Sequence, residues 1–120
     1  MLYIALLLTT LLAILHFLAH FFYFYWIYWW FDVCMHFLAG LAGGAAAYGV
    51  LSRLGRVSIT RVLLSFVVIA GTWEIFEYVN GLTYSHEGYV LDTIFDLLLG
   101  STGAVISAYI GIKREKRESI

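Results

Sequence analysis

The chain predicts an all-α four-helix transmembrane bundle with both termini cytoplasmic, and three observations carry that prediction. The composition is 62% hydrophobic and only 12% charged over 120 residues, with a mean hydropathy of +0.88. A water-soluble domain of this length cannot hide so much apolar surface, whereas a bilayer can. Apolar runs of roughly 20 residues, the length needed to cross the hydrocarbon core, recur four times. The seven Lys and Arg residues lie in one short loop and in the C-terminal segment. Residues 1–120 therefore read as a single integral-membrane domain.

The first span is expected over about Leu2–Tyr25. It lacks a basic leading segment and a small-residue cleavage site, and its apolar run is too long for a signal peptide, so it reads as a retained helix. The following FFYFYWIYWW, ending at Trp29 and Trp30, has the composition of an aromatic belt at a membrane interface. The second span is expected over Asp32–Leu51, the third over Val62–Val79 and the fourth over Val90–Ile112. The chain contains no proline, so no proline kinks are expected. Residues 113–120 form a basic tail.

Arg53, Arg56 and Arg61 surround the second loop, and Lys113, Arg114, Lys116 and Arg117 fill the tail. The positive-inside rule puts both in the cytoplasm. Four spans then place both termini inside and the aromatic turn and the Asn80–Tyr89 loop outside. The expected location is a bacterial or archaeal cytoplasmic membrane, crossed several times. The tail serves as an orientation signal and is able to touch anionic headgroups; it is too short for nucleic-acid binding.

Every charged side chain within the apolar stretches is acidic: Asp32, Glu74, Glu77, Asp92 and Asp96. A lone ionised carboxylate in lipid costs at least a few kcal/mol. Five without basic partners must be protonated, solvated in a cavity, or neutralised by bound cations. The predicted topology aligns them. Asp32 and His36 open the second span, Glu74 and Glu77 close the third, and Asp92 and Asp96 open the fourth. At 1.5 Å per residue all six lie within roughly 10 Å of one interface.

The pairs Asp32/His36 and Asp92/Asp96 are spaced i, i+4, and Glu74/Glu77 i, i+3, so each pair shares a helix face. Ligands paired on facing helices are how bundles build metal sites. His20, with His16 one turn deeper, is a further candidate ligand at similar depth. The competing readings are plain ones. Asp32 and Asp92 stand where helix N-caps are expected. His16 and His20 also fit satisfied bundle histidines. His86 and Glu87 read as exposed loop residues. Cys34, the single cysteine, reads as packing and excludes an internal disulfide. Gly40 and Gly44 form a G-x-x-x-G, with Gly43 beside them, and Gly100 and Gly103 follow Asp96. These predict closely approaching helices.

The segments FDVCMHFLAG, WEIFEYVNG and LDTIFDLLLGSTGA resemble the bacterial YjdF-type inner-membrane proteins. The matching residues are Asp32, His36 and Phe37; Trp73, Glu74, Ile75 and Glu77; and Asp92, Thr93, Asp96, Gly103 and Ala104. The resemblance covers roughly residues 30–105. A more distant similarity is to VanZ-like proteins, which are associated with glycopeptide resistance. Asp32, His36, Phe37, Asp96 and Gly103 match that pattern, while Gly100 stands where it has Asn and Glu77 where it often has Gln. Neither family implies a settled biochemical activity.

The acidic layer leads to one expectation above others. It is a membrane-embedded divalent-metal site (Mg, Mn, Ca or Zn), with Asp32, His36, Glu74, Glu77, Asp96 and His20 as ligands and Asp92 as a ligand or general base. Such a site would hydrolyse a membrane lipid or lipid-linked headgroup at the outer leaflet. The alternative is a non-enzymatic ion- or proton-handling or accessory protein whose acids serve helix packing. A homodimer is compatible with so small a bundle. Phosphate-binding glycine loops, nucleophile elbows and redox cysteine pairs are absent from the sequence.

Overall fold

The computed structural model describes residues 1–81 and 88–119, so His86 and Glu87 lie outside the described residues. The elements are α1 (Leu2–Phe21), α2 (Phe24–Ile27), α3 (Trp29–Arg53), α4 (Ile59–Val79) and α5 (Tyr89–Glu118). The fold is an all-α four-helix bundle: α1, α3, α4 and α5 are each long and apolar enough to cross a membrane.

The helix limits extend past the expected spans by two or three residues at Arg53 and Ile59, and three other differences shape the fold. The first helix stops at Phe21 rather than Tyr25, because Tyr23 adopts a left-handed backbone conformation (φ 59°). That position just beyond a helix end is the one glycine usually takes, and a bulky residue there costs roughly 1 kcal/mol or more. The chain then makes the one-turn helix α2 before α3 begins at Trp29, one turn ahead of Asp32. At the other end the basic tail is not a separate segment. Helix α5 carries it as far as Glu118.

Helix α4 starts on a local cap. The Ser58 hydroxyl accepts the Arg61 backbone N–H at 3.2 Å, and the Arg61 guanidinium donates to the Arg56 carbonyl at 2.7 Å. The preceding turn passes through Gly55 at φ 65°, a left-handed conformation that costs glycine little.

Most of the large apolar side chains point outward. Leu7, Leu11 and Phe17 on α1, Val68 and Ile69 on α4, and Phe95 and Leu98 on α5 are all exposed. Small residues are buried along both α3 and α5: Gly40, Ala42, Gly44 and Ala45 on α3, with Gly100, Gly103, Ala104 and Ala108 on α5, while Phe31, Met35, Tyr48, Val62 and Phe66 fill the buried space around them. Lipid is as apolar as leucine, so burial of large side chains does not drive this packing; close backbone approach does.

Helix α3 is central. It packs on α1, α4 and α5, and its contact with α5 is the most extensive in the molecule. Gly40 meets the Gly100 backbone, and Gly44 meets that of Ala104. Both pairs keep the same sequence offset, so α3 and α5 run parallel, as the second and fourth spans of a four-span protein must. The Ser107 hydroxyl donates to the Leu41 carbonyl at 2.8 Å across the same seam. Among the described residues, α1 packs only on α3 and α2.

Candidate functional site

The seam between α3 and α5 continues one turn beyond Gly40 and Gly100 to His36 and Asp96. The same register that brings the glycines together therefore brings these side chains together. His36 Nε2 lies 3.4 Å from Asp96 Oδ2 and 3.5 Å from Asp32 Oδ1, the latter one turn earlier on α3. One ligand atom from each of Asp32, His36 and Asp96 lies within 4.8 Å of the other two, and this group could hold a metal ion. Asp96 is the most enclosed, with its side chain 11% exposed, against 25% for His36 and 42% for Asp32. The group is thus anchored in the helix seam and open on its Asp32 side.

The donor set suits a divalent cation. For ligand bonds of about 2.0–2.1 Å, a tetrahedral site has ligand–ligand edges of roughly 3.3–3.4 Å. The two edges made by His36 are already that long. Two carboxylates and a neutral imidazole balance a divalent charge. Three protein ligands also leave a position open, which distinguishes catalytic from closed structural sites.

Glu74 comes in from α4 and is buried, at 9% exposure. Its Oε2 accepts a hydrogen bond from the Thr93 hydroxyl on α5 at 3.3 Å, tying α4 to α5 beside the group. Glu74 lies within the electrostatic reach of His36, and half-buried Glu77 within that of Glu74, His36 and Asp32. Both glutamates therefore lie near the Asp–His–Asp group without belonging to it. Asp92 is exposed in the first turn of α5 and also lies outside it.

Neither first-turn aspartate caps its helix. The N-caps are Tyr28 for α3 and Gly88 for α5, and neither cap makes a side-chain hydrogen bond. Asp32 is thereby left available to His36.

His20 belongs to a different neighbourhood. Its ring lies 4.6 Å from that of His16 and 5.6 Å from that of Tyr25, and the Tyr25 hydroxyl is 2.9 Å from His16 Nδ1. Tyr25 on α2 is the link that residue spacing does not reveal. Nothing in the aromatic run marks one tyrosine over another; only the turn at Tyr23 swings it back onto α1. Burial first, and then the negative charge of Asp32 and Glu77, pushes the Tyr25 phenol up to about 12. Thr93 stands out in the sequence as part of the motif shared with the YjdF-type proteins, with no partner indicated. Its role as the Glu74 partner comes from the packing of α4 on α5.

The family described as "Predicted membrane protein (DUF2238)" matches residues 1–117. No curated protein and no solved structure matches the chain. The YjdF-type resemblance fits this family, and four apolar helices agree with a multi-pass integral membrane protein. The chain belongs to the DUF2238 family of predicted membrane proteins.

Proposed function

We propose that the protein binds one divalent cation at Asp32, His36 and Asp96 and uses it to hydrolyse a lipid or lipid-linked headgroup at the membrane surface. The observation that carries this reading is the convergence of three ligand atoms from two helices within 4.8 Å, on a seam too tight to let them drift apart. Bound there, a cation such as Zn²⁺ or Mn²⁺ supplies a Lewis acid for a phosphoryl or carbonyl oxygen and acidifies a water. The chain's own residues supply the rest. Asp96 and His36 hold the ion from inside the seam. Asp32, the more exposed ligand, faces the side from which a headgroup enters. Of the carboxylates outside the ligand group, we assign Glu77 and Asp92 the role of accepting a proton.

The charge distribution supports the orientation. Arg53, Arg56, Arg61 and the basic end of α5 lie at the opposite ends of the helices from this site, so the positive-inside rule puts the site at the outer leaflet of the cytoplasmic membrane. The VanZ-like resemblance lends no support to a resistance role. Gly100 stands where that pattern has Asn, and Gly100 here packs on Gly40 and beneath Phe66, with no room for an amide side chain.

Metal analysis of the purified protein tests the proposal. The expected result is one divalent cation per chain in the wild type, lost in Asp96→Asn together with hydrolysis of lipid phosphate or ester substrates. A metal-free wild type that stays metal-free on titration with Zn²⁺, Mn²⁺ and Mg²⁺ would sink it. One observation favours a second reading for Glu74 alone. Its hydrogen bond from Thr93 is an interhelical contact of the kind that holds bundles together in lipid.

A further inference from the structure

A second group of donor atoms lies on α1 and α2, independent of the Asp–His–Asp group. His16 and His20 are spaced i, i+4 on one face of a helix that carries no other ionisable side chain except Tyr3. Both are exposed, on a span whose surroundings are lipid and interfacial aromatics. Ionisable groups in such a place mark a function by default, and the question is what partners them. The rings stand nearly perpendicular, at 73°, with centroids 4.6 Å apart. The Tyr25 hydroxyl lies 2.9 Å from His16 Nδ1, and the Tyr25 ring lies 5.6 Å from that of His20. Two imidazoles and one phenol thus cluster within a few ångströms of one another, with the Tyr25 oxygen in direct contact with His16.

The geometry points to a transition-metal site made by His16, His20 and Tyr25, with Cu²⁺ or Ni²⁺ as its fitting occupants. Two His one turn apart on a helix face the same way and can hold one metal ion between them, as in the zinc-binding H-E-x-x-H helix. A metal at about 2.0–2.1 Å from both His16 Nδ1 and the Tyr25 oxygen would see them roughly 90° apart, and right angles with N and O donors suit tetragonal Cu²⁺ or Ni²⁺ better than tetrahedral Zn²⁺. The proton that His16 and Tyr25 share is displaced on binding, so uptake releases protons and weakens as pH falls. The turn at Tyr23 is what delivers Tyr25 to the pair. Its left-handed backbone is a cost the aromatic run bears at the one place where it completes this group.

The test uses the full chain in phosphatidylcholine nanodiscs titrated with Cu²⁺, read by equilibrium dialysis and by nitrogen hyperfine structure in the electron paramagnetic resonance spectrum. Asp32→Asn/Asp96→Asn is expected to keep a two-nitrogen Cu²⁺ signal, which separates this site from the proposed hydrolytic one. His16→Gln/His20→Gln is expected to lose it, and Tyr25→Phe to bind roughly tenfold more weakly. Circular dichroism reports whether each variant keeps its helices. If the double variant does not fold, His20→Gln made in the Asp32→Asn/Asp96→Asn background, which leaves the His16–Tyr25 bond in place, is expected to give a one-nitrogen signal. A two-nitrogen signal that survives His20→Gln in that background, or no Cu²⁺ bound to Asp32→Asn/Asp96→Asn, overturns the assignment.

Discussion

Gly40 on α3 and Gly100 on α5 meet backbone to backbone, and His36 and Asp96, which lie 3.4 Å apart across the same seam, stand one helical turn away in the same register. Gly44 and Ala104 continue the register one turn the other way. Packing and chemistry are therefore not separable along this seam: the small residues set the distance between helices, and that distance sets the spacing of the donor atoms.

It follows that a side chain at the seam should damage both. A Cβ at Gly40 would collide with the Gly100 backbone, which cannot rotate away as a side chain can. Gly40→Ala is expected to destabilise the bundle by about 1–3 kcal/mol, the usual cost of overpacking, and to lower divalent-cation affinity in parallel. Gly71 on α4 is the control, since a Cβ there meets nothing within 4 Å. Gly71→Ala should be neutral or stabilising by up to roughly 1 kcal/mol. Thermal unfolding in detergent, with and without cation, reads both.

The two aspartates should differ in weight. Asp96 sits in the seam and Asp32 at its open edge, at 11% and 42% side-chain exposure. A saturating cation at a hundred times its Kd stabilises the folded state by about 2.7 kcal/mol. Asp96→Asn is expected to abolish the rise in melting temperature on adding Zn²⁺ or Mn²⁺, and Asp32→Asn to reduce it. Equal loss from both variants would show that exposure does not rank the ligands; an unchanged rise in Asp96→Asn would remove that residue from the site.

Ser107 tests the seam away from the site. It is 4% exposed and donates to the Leu41 carbonyl on the neighbouring helix. Interhelical hydrogen bonds in membranes average about 0.6 kcal/mol. Ser107→Ala keeps the seam small and should cost about that much, leaving cation binding unchanged. Ser107→Val adds bulk at the same point and should cost more, by the overpacking mechanism rather than the lost bond.

The fold and the convergence of Asp32, His36 and Asp96 were legible because both depend on position along the helix axis. Hydropathy marks which residues lie in the bilayer, and the rise per residue converts sequence number to depth, which put Asp32, His36 and Asp96 at one level. Depth says nothing about direction around the axis. His20 is expected at the depth of the acids, yet among the described residues α1 packs on α3 and α2 alone, and its histidines turn to Tyr25 on α2 instead. Glu74 and Glu77 reach the right level from α4, but their azimuth sets them beside the ligand group rather than in it. The break at Tyr23 was hidden for another reason: an aromatic run without glycine or proline carries no mark of where a turn will fall.

Thr93 and Glu74 separate the packing and metal readings of the acidic layer. Glu74 is buried at 9% exposure, and the Thr93 hydroxyl is its hydrogen-bond donor. Thr93→Val keeps the side-chain shape but removes that donor, and a buried acceptor left without its partner costs about 1–3 kcal/mol. Glu74→Gln keeps a carbonyl oxygen for Thr93 and removes the charge. If Glu74 serves packing, Thr93→Val is destabilising, Glu74→Gln is nearly neutral, and cation affinity is the same in both. If instead its charge supports the neighbouring cation, Glu74→Gln lowers cation affinity, by roughly tenfold or more for a residue acting through the ligands, while the metal-free protein melts as before. A double-mutant cycle on unfolding free energy, run with and without Mn²⁺, reads the coupling of the two residues directly. The Thr93–Glu74 distance of 3.3 Å, longer than a typical hydroxyl–carboxylate bond, leads us to expect a small coupling without metal and a larger effect of Glu74→Gln when the cation is present.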